Sequence, residues 1–158
     1  MNTLTHFDER GNARMVDVSN KSVTKRKAVA CGKITMNNNV FEKIKNKEIE
    51  KGDVLTVAQV AGIMAAKKTS DLIPMTHPIN TEKLALSFEL DETEHSVIAV
   101  CEAEIYAKTG IEIEVITGVS IALITIYDMV KALDRSMVIS DIKLVHKSGG
   151  KSGEYNRT

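Results

Sequence analysis

Two stretches of this chain are apolar on every side of a helical wheel. Val54 to Ala66 and Val115 to Tyr127 each run for thirteen residues without a charge. A helix of that kind is buried rather than amphipathic. Charges gather where the two stretches stop: Lys51, Asp53 and Lys67 around the first, Glu112, Glu114, Asp128 and Lys131 around the second. An ionisable group held at the edge of a core costs about several kcal/mol unless a partner or ligand compensates it. The four around the second helix are therefore the first candidates for chemistry.

The remaining pattern supplies the other elements. Ala28 to Met36 reads as a strand, and Asn37 or Asn38 caps a short helix reaching about Lys47, with Val40, Phe41 and Ile44 on one face. Asp53 caps the helix Val54–Lys67. Pro74 and Pro78 forbid helix and stiffen the loop around His77. Leu84–Leu90 and Val97–Ile105 alternate apolar and polar about the turn Asp91–His95, which makes a hairpin. A long helix from about Ile111 to Leu133 and a strand Met137–Lys147 follow. With Val54–Lys67 as the main crossover the order is βαββαβ: an α+β fold, a four-stranded antiparallel sheet with helices packed on one face. Its other face is left for a partner subunit. Residues 1–158 form a single domain, with an N-terminal arm (1–27) ordered by docking and a flexible Gly/Lys-rich tail (147–158).

Composition narrows the function classes. Twenty-one basic residues balance 21 acidic ones, so wholesale binding to nucleic acid or an anionic membrane is not indicated. Tryptophan is absent and Tyr and Phe number three each, leaving little for stacking on bases. No uncharged run reaches the roughly 20 residues of a membrane span, and Met1–Asp8 lacks the basic-then-apolar design of a signal peptide. Cys31 and Cys101 read as small buried hydrophobes rather than a disulfide or metal pair. The cytoplasm is the expected compartment.

Four constellations could carry chemistry. The tail Lys147-Ser-Gly-Gly-Lys-Ser-Gly153 is no Walker loop, because Val145 stands where the first glycine belongs. Its glycine N–H groups with Lys147 and Lys151 could still cradle an anion, or it is a solvated tail. Asp128 and Lys131 share a helix face, either as a surface ion pair or as a charged pair that holds an anion or exchanges protons. Glu114 and Asp128 are nearly in register on that helix but roughly 21 Å apart along its axis. A composite site taking one helix end from each of two chains would use both. His77 has no Cys or His at metal-ligand spacing, so a structural zinc site is not expected.

Taken in order, these pieces resemble the MoaC-type cyclic pyranopterin monophosphate synthases of molybdenum cofactor biosynthesis. The matching blocks are Met15-Val-Asp-Val-Ser19, Lys51-Gly-Asp-Val-Leu55, Ala61-Gly-Ile-Met-Ala-Ala-Lys67, Ile73-Pro-Met-Thr-His-Pro78, Thr109-Gly-Ile-Glu-Ile-Glu114, Leu123-Ile-Thr-Ile-Tyr-Asp-Met129 and Lys147–Gly153. The resemblance implies a ferredoxin-like fold and a homohexamer, a trimer of dimers with sites between subunits. It implies a phosphorus–oxygen lyase that converts (8S)-3′,8-cyclo-7,8-dihydroguanosine 5′-triphosphate to cyclic pyranopterin monophosphate and diphosphate. No redox cofactor and no protein-bound metal are implied, and a divalent cation carried by the triphosphate is compatible with it. By position, Asp128, Lys51 and Lys131 match the catalytic groups. Met75, Thr76, His77, Ile113 and Glu114 match substrate-binding segments, with Glu112 assisting. Lys147, Arg26, Lys21 and Lys67 would neutralise the triphosphate.

The chain departs from the family's usual text in three places. Thr76 stands where Cys is common, Ile113 where Met is common, and Glu114-Val-Ile-Thr-Gly118 replaces Glu-Ala-Leu-Thr-Ala. The charged groups are intact, so the expectation is a changed pocket fit with activity retained. Two other readings are a non-catalytic nucleotide-binding module and a structural oligomer whose apolar helices serve assembly only.

Overall fold

Local chemistry sets the helix starts. In a computed structural model, which describes residues 6–8 and 10–158, Asn37 caps α1 (Asn38–Lys45) by accepting the Val40 N–H at 3.0 Å. Asp53 caps α2 (Val54–Lys67) by accepting the Thr56 N–H at 3.1 Å. Each cap contributes about 1 kcal/mol. A single-turn helix, α3 (Thr69–Leu72), follows α2 and turns the chain into the proline loop. The other elements are β1 (Thr24–Thr35), β2 (Lys83–Asp91), β3 (Ser96–Ala107), α4 (Glu112–Val130), β4 (Val138–Ser148) and β5 (Tyr155–Asn156). Residues 1–5 and Glu9 lie outside the described residues, and most of the stretch read for a signal peptide falls there.

The strands form one antiparallel sheet in the order β2-β3-β1-β4-β5. It has five strands rather than the four expected, because the tail is not wholly loose: it turns at Gly149 and Gly150 and returns as β5 against His146 and Lys147. Those glycines sit at φ of +94° and +77°, a region L side chains rarely occupy. The arm is also shorter than expected. Thr24 to Lys27 belong to β1, where Lys25 pairs with Glu104 across the sheet at 2.8 Å. Lys25 and Lys27 are one side of a cross-strand ion-pair lattice in which Lys83 also approaches Glu102 and Glu104.

Period-two alternation puts Ala28, Ala30 and Ile34 of β1 on the helix side with Cys101, Ala103 and Ile105 of β3, all essentially inaccessible. Cys31 lies on the opposite side of β1, only half-buried, so the two thiols cannot pair and only Cys101 is a true core residue. Burial pushes the Cys101 thiol up to about 12, with the Glu102 charge adding to it.

Against this face lies α4, with α2 antiparallel beside it. A Cβ added at Gly62 would meet the Gly118 carbonyl oxygen at 2.7 Å and Leu86 Cδ1 at 2.5 Å. The two helices therefore touch backbone to backbone. Gly62→Ala is expected to destabilise the protein by about 1–3 kcal/mol, in spite of a gain of roughly 1 kcal/mol in helix propensity. At Gly118 the nearest atom to an added Cβ is the Cys101 Sγ at 3.1 Å, which can yield. Thermal unfolding should show Gly118→Ala within about 1 kcal/mol of the parent.

The two apolar helices are not buried all round as their sequences suggest. Val57, Val60 and Met64 form an exposed stripe on α2, and Ile113 and Ile124 are exposed on α4. Among the described residues α4 is the only helix long and apolar enough to cross a membrane, and about half of that stretch is buried against its neighbours. It ends at Val130, three residues short of the expected Leu133. Beyond it the buried Asp134 carboxylate accepts the Asn37 N–H at 2.9 Å and the Ser136 N–H at 2.8 Å, holding the chain in a turn.

Candidate functional site

The antiparallel pairing of α2 and α4 sorts the candidate residues into two sets, one at each end. At the first end the proline loop after α3 meets the N-terminal turn of α4. Between them, and under the N-terminal arm, lies a cavity of about 470 Å³ lined by Met75, Thr76, His77, Glu112, Ile113, Glu114 and Lys21. Glu114 is its most unusual member, buried with 4% of its surface exposed. Burial raises its carboxyl to about 7, opposed by its own backbone N–H and reinforced by the Glu112 charge. It can therefore hold or release a proton near neutrality, and N–H donors from a ligand would favour the ionised form.

The loop residues have distinct tasks. His77 Nε2 lies 3.0 Å from the Val16 carbonyl oxygen, so this nitrogen carries the proton and ties the arm over the cavity. The Thr76 hydroxyl donates to the Ile73 carbonyl at 2.9 Å and stabilises the turn itself. A hydroxyl here is a stronger donor than a thiol would be, and its use is structural.

A second cavity, of about 580 Å³, shares the wall formed by Lys21, Thr109, Gly110 and Glu112 and continues toward the tail. Arg26, Lys108 and Lys151 also line it. Arg26 Nε donates to the Ala107 carbonyl at 3.4 Å, which keeps the guanidinium between β1 and the start of α4. A Cβ at Gly150 would strike that guanidinium, so the glycine lets the tail close over it. Lys147 stands at the border, donating to Glu112 Oε1 at 2.9 Å and to the Ser152 hydroxyl at 3.1 Å. Five cations thus converge here, opposed chiefly by Glu112. The N-terminus of α4 adds its dipole at the same place, and its N-cap residue, Ile111, has no side chain that could cap it. Such a surface suits a polyphosphate.

Lys108 was not among the candidates read from the chain, and Lys151 appeared only as part of the tail. For Lys108 the available signal was its place directly before the Thr109-Gly-Ile-Glu block. Lys67 goes the other way: it ends α2, exposed, and lines neither cavity.

At the opposite end Lys131 Nζ donates to Asp128 Oδ1 at 2.6 Å. That bond, then the Lys131 charge and more weakly Lys51, hold the Asp128 carboxyl below the usual carboxylate range. Lys51 lines a small cavity of about 230 Å³ with Met129 and Leu133. The expectation of buried charge is corrected here, since the Asp128 and Lys131 side chains are 68% and 53% exposed. Of the four charges around this helix only Glu114 is buried. Within one chain Lys51, Asp128 and Lys131 stand together but a helix length from Glu114 and His77. Among the described residues no three His, Cys, Asp or Glu side chains converge as a metal shell requires.

Comparison with known proteins points the same way. A family model described as the MoaC family matches residues 15–150. The chain is similar to a cyclic pyranopterin monophosphate synthase of Heliobacterium modesticaldum, 54% identical over 157 residues and covering 99% of each chain. Proteins of the same description from Clostridium perfringens and Thermoanaerobacter pseudethanolicus are 54% and 55% identical, each over 98% of both chains.

Proposed function

The chain belongs to the MoaC family, and we propose that it works as a cyclic pyranopterin monophosphate synthase, an enzyme of molybdenum cofactor biosynthesis. Its substrate in this reading is (8S)-3′,8-cyclo-7,8-dihydroguanosine 5′-triphosphate. The products are the cyclic monophosphate and diphosphate. The observation that carries the reading is the pair of joined cavities: a pocket with a buried, titratable Glu114 opening into a cation-lined one. A purine-derived head with a triphosphate tail has that division of polarity.

In the head pocket, Glu114 accepts N–H groups of the base-derived ring while Met75 and Ile113 flank it. Lys21, Arg26 and Lys147 neutralise the triphosphate, and Lys147 reaches it by leaving Glu112. Asp128 is ionised and already bonded to Lys131. It is therefore better suited to orient that ammonium than to take protons. Lys51 and Lys131 are left as the groups that move protons during ring opening and pterin closure, and that stabilise charge as diphosphate departs.

Both ends are needed by one substrate, yet they lie roughly 21 Å apart along α4. A second chain must supply the Lys51 end. The exposed stripe Val57, Val60 and Met64 supports assembly through the helices, as a homohexamer of three dimers. The strand order, with helical crossovers from β1 to β2 and from β3 to β4, supports the ferredoxin-like description. The reaction is cytoplasmic in this reading.

Turnover of the cyclic dihydroguanosine triphosphate tests it. One diphosphate should appear per pterin, the latter read by fluorescence after oxidation. Lys51→Ala should lose about 10²–10⁴-fold in rate. Binding without any turnover by the parent protein would leave only a nucleotide-binding module.

A further inference from the structure

Residues 14–23 form neither helix nor strand, yet this segment brings Lys21 to the wall shared by both cavities. Two side chains from elsewhere in the fold hold it by its backbone. His77 takes the Val16 carbonyl, as described, and Lys108 Nζ donates to the Ser19 carbonyl oxygen at 2.7 Å across 89 residues of sequence. Ser19 is itself fixed locally. The Asp17 carboxylate accepts the Ser19 N–H at 2.8 Å, and the Lys21 N–H donates to the Val18 carbonyl at 3.1 Å. The turn Asp17–Lys21 is therefore a preformed unit, and the Lys108 ammonium is its anchor to the end of β3.

We propose that Lys108 is a positioning residue, which pins the Asp17–Lys21 turn to the rim of the cation-lined cavity and thereby places Lys21 for the triphosphate. The proposal rests on reading that cavity as the triphosphate site. An ammonium has three N–H donors, and one is spent on a neutral carbonyl. Without it, the side-chain hold that remains on this segment's backbone among the described residues is His77 at Val16, and the Lys21 charge spreads over many positions. The ordering of Lys21 would then be paid when the ligand binds.

The test uses the full chain in its native assembly and inorganic tripolyphosphate as the probe, with Lys108→Gln, Lys108→Arg and Lys21→Ala. Hydrogen exchange without ligand should quicken at residues 16–21 in Lys108→Gln and stay unchanged in β3 and α4, which controls for folding. Tripolyphosphate should bind about tenfold more weakly, the size of one charge-assisted hydrogen bond. The substrate KM should rise comparably while kcat changes little, and Lys108→Arg should restore both. Lys21→Ala should weaken binding in the parent but add little in the Lys108→Gln background, because Lys21 is no longer placed there. Unchanged exchange at 16–21, or fully additive losses from the two lysines, would overturn the proposal. Quicker exchange with unaltered tripolyphosphate binding would overturn it too. A parent protein that binds no tripolyphosphate would sink the reading of the cavity itself, and this proposal with it.

Discussion

Lys51→Ala and Glu114→Gln, each nearly inactive when purified alone, are expected to recover turnover when the two chains are co-expressed and assemble together. The two residues occupy opposite ends of the antiparallel α2–α4 pair. A site drawing one end from each of two chains finds both ends intact in about a quarter of random pairings in a symmetric oligomer. If each site were built within a single chain, every site in the mixture would carry one lesion and no activity would return. Placing both substitutions on one chain and mixing it with unaltered chains gives the control. Loss of about 10²–10⁴-fold for the single variants makes even a few per cent of restored sites measurable. A mixture that stays inactive, with mixed assemblies verified by mass, would refute the composite site.

The second large effect concerns pH. Glu114 ionises at about 7 in the folded chain, against 4.5 for an ordinary glutamate. Below pH 4.5 the group is protonated in both folded and unfolded chains. Between 4.5 and 7 the folded chain keeps a proton that the unfolded chain has lost, so stability falls as pH rises through this window. Above 7 both forms are ionised and the penalty is complete. A shift of this size corresponds to an upper figure on the order of 3 kcal/mol. Glu114→Gln should therefore flatten the decline between pH 4.5 and 7 and make the ligand-free protein more stable above pH 7, as denaturant titrations at several pH values would show. An unchanged pH profile in the variant would mean that Glu114 titrates alike in the folded and unfolded chains. The same group should release a proton when a ligand bearing N–H donors binds near neutrality. That release measures how far the site has been held in an unfavourable state for the sake of its ligand.

Much of the scaffold was legible because the signals are local. Asn37 and Asp53 cap the helices whose starts they mark, and the hairpin follows from alternation on either side of Asp91–His95. The ends were harder. Thr24–Lys27 read as the end of the arm, because the stretch of β3 that pairs with it lies about 80 positions away. No periodicity marks Tyr155–Asn156, whose pairing depends on two glycines upstream. The site's two charged clusters were visible as charges flanking apolar helices. Their unequal burial was not, since Glu114 enters the fold and Asp128 points outward from the same helix. Lys108 escaped because its task is set by a carbonyl 89 residues away.

The short return of the tail also decides how the sheet can meet other strands. β5 pairs with β4 only at His146 and Lys147, beside the cation-lined cavity. A free edge there would present unpaired N–H and C=O groups to any extended segment, including a second copy of the chain. Two residues suffice to use them up at that end. The β4 groups beside the cavity mouth are thus closed to an added strand.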